Sequence, residues 1–311
     1  MSQHTSEDGL LLPGLDGTNP LGFLAVLGVL RILTLQQTQQ TQVKLSWQLS
    51  SGTWRPTLFG VQVPLSELGA ELHAAIQRLD RSAWSIDRKL PFDATILRNS
   101  VHQALQTASF TCRHHIDLLA SFGVECFVDK DGTFEKTDLC MVRAGDAAGQ
   151  GMTAYGKRII ETIQPKQLQR TLEETWLNSD DQCALRWDPG EDKPYAVQWR
   201  NPSKIGALSE KGANCLALFG MVCFSVVPVK GEAQTTGFGL KAAKQSSFTW
   251  PIWNRPINLD VVKSLLTWSA LQDEQPDRAE LTALGIAAAY RCDRIMTSTY
   301  YANFTPARRV V

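Results

Sequence analysis

Residues 10–31 read Leu10-Leu-Leu-Pro-Gly-Leu-Asp-Gly-Thr-Asn-Pro-Leu-Gly-Phe-Leu-Ala-Val-Leu-Gly-Val-Leu-Arg31: a short apolar run, a turn of Gly, Asp and Asn, and a helix apolar on every side. Asn19 is a residue type that caps helix starts, and Pro20 stands where the first helical residue tolerates proline. The helix start is therefore specified locally. A helix with no polar face has no side to give to water, so it is a buried element behind a shaped loop. The N–H groups behind Gly14-Leu-Asp-Gly17 are placed to receive an anion, but Asp16 repels one. Neither a P-loop lysine nor a dinucleotide glycine pattern accompanies them, and the core-helix reading is the favoured one.

With 311 residues, 43% of them hydrophobic, the chain has material for a substantial core. No internal repeat or convincing linker divides it. It reads as one unit, 1–311, with 1–150 and 151–311 as the two closely packed lobes it would form. The apolar run Leu21 to Leu30 is about half of the roughly 20 residues that span a bilayer, and a polar rather than basic stretch precedes it. A cytoplasmic protein with no membrane partner is expected. Seven cysteines without a CxxC pair point to reduced thiols rather than a disulfide framework or zinc.

Beyond the first helix the pattern alternates. Val43 to Leu49 and Thr53 to Val63 read as strands of a hairpin turned by Ser50-Ser-Gly52, and Pro64 to Leu79 as a helix. Residues 93–122 are mostly helical in pattern. Strands are expected at 124–128 and 137–143 around Asp129-Lys-Asp-Gly132, and helices at 152–163 and 167–177 to either side of Pro165. A second hairpin is expected from 185–188 and 196–200, then a helix over 211–220. A three-stranded meander over 222–229, 235–240 and 248–253 precedes helices at 258–268 and 278–284 and an extended segment toward Phe304. Hairpins mixed with helices imply an α+β fold with mainly antiparallel sheets and a buried N-terminal helix, not a doubly wound sheet.

Groups that carry chemistry are sparse. His114 and His115 are adjacent, so on a helix they point about 100° apart, and His4, His73 and His102 stand elsewhere. Asp188, Glu191 and Asp192 are the densest carboxylates, but Pro and Gly surround them and a solvated turn accounts for them. Asp129, Asp131 and Gly132 open like a calcium loop, whose twelfth position is here Cys140 rather than Glu. No serine or cysteine sits in a nucleophile motif, and no cofactor or metal is expected. A Mg²⁺-dependent nuclease or hydrolase using His114 or His115 with Asp117 or Asp188 is the alternative this leaves open, and a purely structural bridging subunit is a third.

Lysine plus arginine equals aspartate plus glutamate, 31 each, but the charges are segregated. Residues 161–192 carry eight acidic against three basic side chains, and 193–263 carry nine basic against three acidic. Tryptophan stands beside cation in Trp54-Arg55, Trp199-Arg200 and Trp253-Asn-Arg255. Such pairs can hold a nucleotide, although core packing is the commoner use of tryptophan.

Three separated stretches resemble one known family. These are residues 12–31; Trp187 to Arg200 with Lys211-Gly-Ala-Asn-Cys-Leu-Ala217; and Thr235-Thr-Gly-Phe238 with Phe248-Thr-Trp-Pro-Ile-Trp253. Together they are similar to proteins of type I-G (formerly I-U) CRISPR–Cas loci, departing at Lys211, where that pattern has arginine. The resemblance implies a non-catalytic subunit of an RNA-guided antiviral ribonucleoprotein, whose partners would be CRISPR RNA or target DNA and the other subunits of the interference complex. Arg200, Lys204, Lys211, Lys241, Lys244 and Arg255 would then supply charge to a phosphate backbone, with Asn214 as a neutral donor.

Overall fold

The structure, a computed structural model, describes residues 9–36, 42–109, 112–144, 149–191, 208–239, 246–296 and 301–311. Strand β1 (Leu10–Leu11) leads through the glycine loop into α1 (Pro20–Leu35). The Asn19 side-chain oxygen accepts from the Leu21 and Gly22 N–H groups, and Pro20 opens the first turn. Every residue from Pro20 to Leu33 is buried, Arg31 included. The loop is spent on packing rather than held open for a ligand: Gly14 N–H donates to the Leu172 carbonyl, Gly17 N–H to that of Trp54, and Asp16 accepts from Thr18.

The strands β2 (Lys44–Ser50) and β3 (Thr53–Phe59) form the expected hairpin, turned at Ser51 and Gly52 with positive φ, and β1 adds to the free side of β3. Helices α2 (Leu65–Arg78), α3 (Ala94–Thr107) and α4 (His114–Phe122) follow. Next come the hairpin β4 (Gly123–Val128) with β5 (Phe134–Lys136), and helices α5 (Met152–Thr162), α6 (Pro165–Glu173) and α7 (Lys211–Gly220). The hairpin of β6 (Val226–Val229) and β7 (Glu232–Thr235) precedes β8 (Ser246–Trp253). The described chain closes with α8 (Leu259–Leu266), α9 (Arg278–Ala283), β9 (Ile286–Met296), β10 (Ala302–Phe304) and β11 (Arg308–Arg309).

The long strand β9 is central to the last sheet, pairing antiparallel with β8, β10 and β11. The fold is α+β, and every strand pair among the described residues is antiparallel.

Helix α1 is enclosed between α7 and the two larger sheets. Its contact with α7 is a glycine crossing. A Cβ on Gly28 would stand 1.8 Å from the Leu216 carbonyl oxygen, and one on Gly220 would stand 2.0 Å from that of Leu24. On another face, Phe23 meets Trp47 of β2 and Trp250 and Trp253 of β8, with ring centres 6.0, 5.9 and 6.4 Å away. The indole N–H of Trp250 donates to the Gly17 carbonyl at 2.8 Å and that of Trp253 to Leu45 at 2.7 Å. A core assembled this way draws on residues from Leu12 to Phe304, in both 1–150 and 151–311.

Three local expectations are corrected. Residues 137–143 form no strand. The return of the β4 hairpin begins at Phe134, because Asp129 closes a short loop by accepting from Asp131, Thr133 and the Thr133 hydroxyl. The meander is formed only in part: β6 pairs with β7, residues 237–239 meet β8 in a single bridge from Phe238 to Phe248, and the long partner of β8 is β9 instead. Residues 185–188 are not a strand but lead into a single helical turn, Pro189–Glu191; residues 196–200 lie outside the described part.

Candidate nucleic-acid interface

Asp188 and Glu191, read from the sequence as part of a solvated turn, are buried, with relative exposures of 6% and 1%. This corrects the expectation; Asp192 lies outside the described residues. Asp188 accepts from the Asn19 amide at 3.0 Å, from Gly190 N–H at 2.9 Å and from the Asn178 amide at 3.4 Å. Glu191 accepts from Arg186 N–H at 2.7 Å and from the Asn214 amide at 3.2 Å. The turn chemistry of Asp, Pro and Gly is the same whether a turn faces water or protein. Here the donors come from α1's cap and α7, distant in sequence.

Asn214 is corrected with it. It is wholly buried, and its amide is spent on Glu191 and on the Glu210 carbonyl, so it offers no donor to a phosphate at the surface.

Burial, reinforced by the Asp188 charge, pushes the Glu191 carboxyl up to about 8, against the opposing pull of the Asn214 and Arg186 donors. A carboxyl that holds its proton more tightly folded than unfolded makes the folded state the richer in protons between about 4.5 and 8. Stability therefore falls as pH rises through that window. The Glu191→Gln variant, which cannot ionise, is expected to keep its melting temperature from pH 5.5 to 8 more nearly constant than the unsubstituted protein. At pH 8 it should melt at the higher temperature. Parallel pH profiles for the two proteins in thermal unfolding would remove this account.

The histidine alternative finds no assembled relay. Asp117 is held by the guanidinium groups of Arg31 and Arg113. His114 is buried and stacked on Phe219 with ring centres 5.6 Å apart; neither ring nitrogen has a hydrogen-bond partner. Burial, then the Arg31 charge, holds its imidazole down at about 4, so it is neutral at pH 7. His115 Nδ1 meets both Asp80 and the Ser82 hydroxyl, each at 3.1 Å. A serine relay places serine and carboxylate on opposite ring nitrogens, whereas these share one. All of these histidines line an open groove of about 630 Å³ between α2, α3 and α4. Among the described residues no group of three or more His, Cys, Asp or Glu gathers as a metal site.

Of the cations singled out in the sequence, Lys211 starts α7, with Nζ donating to the Thr162 carbonyl at 3.3 Å, and Arg255 is exposed in the turn after β8. Arg200, Lys204, Lys241 and Lys244 lie outside the described residues. Trp187, on the approach to 192–207, donates its indole N–H to the Leu139 carbonyl at 2.9 Å. Thr235 and Ser246, to either side of 240–245, meet Asp138: its N–H donates to the Thr235 hydroxyl at 2.9 Å, and the Ser246 hydroxyl donates to its carboxylate at 3.1 Å. Trp187, Thr235 and Ser246 thus all meet residues 138–139.

The residues that carried the family resemblance also converge. Asn19 bonds Asp188, Asn214 bonds Glu191, and Trp250 bonds Gly17. Compared with known proteins, the chain matches no family model and no curated sequence. Among the described residues no helix is long and apolar enough to cross a membrane.

Proposed function

We propose that this chain is a non-catalytic subunit of an RNA-guided, type I CRISPR interference complex, with a basic face directed at the backbone of guide RNA or target DNA. The observation that carries the reading is the convergence of the resemblance stretches, where Asn19 bonds Asp188, Asn214 bonds Glu191 and Trp250 bonds Gly17. Residues 193–263, which include Arg200, Lys204, Lys241 and Lys244, carry nine basic against three acidic side chains. Clustered cations bind a polyanion by releasing its condensed counterions, and binding then weakens with salt in proportion to the number of phosphates met.

The test is the salt dependence of nucleic-acid binding by the assembled complex. Alanine at Arg200, Lys211 or Lys244 should each lower the slope of log K against log salt by about 0.7 to 0.9 per lost phosphate contact. Identical slopes in all three variants would remove the face. Cleavage of nucleic acid by the purified chain in Mg²⁺ would favour the nuclease alternative instead.

A further inference from the structure

The groove of about 630 Å³ beside His114 and His115 is walled by residues from Leu35 to Ile116, outside the basic stretch of the sequence. Leu35 comes from the end of α1, Arg78 from the end of α2, and Ser82 and Ile86 from the turn that follows. Helix α3 lines it with Ser100, Gln103, Ala104 and Thr107, the i, i+3, i+4, i+7 stripe of a single helix face. Past Leu35, Arg78 and Leu79 the groove runs on into a second hollow of about 290 Å³.

Its polar groups are held in place and under-used. Ser82 N–H donates to the Asp80 carboxylate at 2.8 Å, and the same carboxylate meets His115 Nδ1 at 3.1 Å. A carboxylate only accepts, so in the neutral imidazole Nδ1 carries the proton and the Nε2 lone pair is left over. His114, 6% exposed, lines the groove with neither ring nitrogen partnered. The Gln36 amide nitrogen, in the wall of the second hollow, is likewise buried and unpartnered.

Charge does not select the occupant. Among the described residues lining the groove, Arg78 is balanced by Asp80, and the Arg31 and Asp117 charges that act on His114 are paired with each other. Leu35, Leu79, Ile86 and Ile116 make one side aliphatic. A wholly aliphatic ligand would strand the imidazoles and amides without partners, at a cost in desolvation. The match is a flat ring with apolar faces and with N–H donors and carbonyl or ring-nitrogen acceptors around its edge. Nucleobases have this make-up, and unpaired bases are held by apolar side chains against their faces and hydrogen bonds at their edges. The volume falls within the range of small-ligand pockets, about 300–1,000 Å³.

We propose that the groove between α2, α3 and α4 takes a nucleobase, with His115 Nε2 accepting from an N–H on its edge and Ser100 and Gln103 meeting the rest of that edge. The base is that of a free nucleoside or of an unpaired strand; in the second case the inference rests on the nucleic-acid reading above.

Cys112 supplies the readout, since it lines the groove and is exposed, Cys126 being the other exposed cysteine. In the full-length Cys126→Ser protein, the rate at which Cys112 reacts with an aromatic disulfide reagent is measured alone and with adenosine, guanosine, cytidine or uridine. Further arms use a short fluorescein-labelled single-stranded RNA, whose anisotropy reports its binding, and ribose phosphate, which has no base. A probe that fills the groove should slow the thiol about threefold at twice its dissociation constant, by mass action. A nucleoside or the strand is expected to do so, and ribose phosphate is not. His115→Ala and Gln103→Ala, with unchanged thermal unfolding as the folding control, should each raise the concentration needed by about three- to tenfold, the worth of one hydrogen bond. Protection by nucleosides identifies a free ligand; protection by the strand alone identifies a base within it. Equal protection by ribose phosphate, protection undiminished in both variants, or no protection by any probe would overturn the proposal. If the strand binds and Arg200→Ala weakens it while Cys112 reacts at its free rate, the groove falls and the nucleic-acid reading stands. If nucleosides protect and the strand does not bind, the groove stands and the chain's own hold on a strand falls.

Discussion

Gly28→Ala and Gly220→Ala, made singly, are expected to abolish soluble accumulation of the protein or to lower its melting temperature drastically. The added carbon at Gly28 meets the Leu216 carbonyl oxygen at 1.8 Å, and that at Gly220 meets the Leu24 carbonyl oxygen at 2.0 Å. These are backbone atoms in the middle of helices, not the ends of side chains that can swing aside. Separating α1 from α7 is the only relief, and α1 is buried from Pro20 to Leu33, so any shift is passed on to Trp47, Trp250 and Trp253. Overpacking of an ordinary core costs about 1–3 kcal/mol and at times more. Here it acts at the most enclosed element of a protein whose whole stability is on the order of 5–15 kcal/mol. Soluble yield and thermal unfolding measure the effect; an alanine variant with an unchanged melting temperature would show that the two helices are not in this contact.

Asp117→Asn should be the next most damaging exchange. The Arg31 guanidinium, 4% exposed, is held by Asp117, which also receives Arg113. Neutralising the carboxylate leaves a buried cation uncompensated, and breaking such a pair from one side typically costs about 3–5 kcal/mol. Replacing both partners, Arg31→Leu with Asp117→Leu, removes the stranded charge and should recover much of that loss. Chemical denaturation of the single and double variants distinguishes this from simple loss of a contact. A double variant less stable than Asp117→Asn alone would contradict it.

Helix α1 was legible because its determinants are local: a cap at Asn19, a proline at Pro20 and an unbroken apolar run. The β2–β3 hairpin was legible for the same reason, its turn and both strands lying within 16 residues. What escaped depends on partners distant along the chain. The β8–β9 pairing joins segments separated by both α8 and α9, and nothing in 246–253 distinguishes a meander strand from one that waits for Ile286–Met296. The burial of Asp188 requires Asn19, 169 positions earlier, and that of Glu191 requires Asn214. Charge segregation drew attention to 193–263, whereas the buried pairing of Arg31 with Asp117 joins positions 86 apart. No signal in one sequence would have assembled them.

The aromatic cluster around Phe23 has an optical consequence. Trp47 and Trp253 lie edge to face with centres 6.1 Å apart, and Trp250 stacks with Tyr290 at the same separation. Rings this close and this fixed couple their transition dipoles, and excitation absorbed by Tyr290 passes readily to the neighbouring indole. Because β2, β8 and α1 each contribute a ring, emission and near-ultraviolet ellipticity from this cluster depend on three elements meeting at once. The protein thus carries its own spectroscopic reporter where α1, β2 and β8 meet.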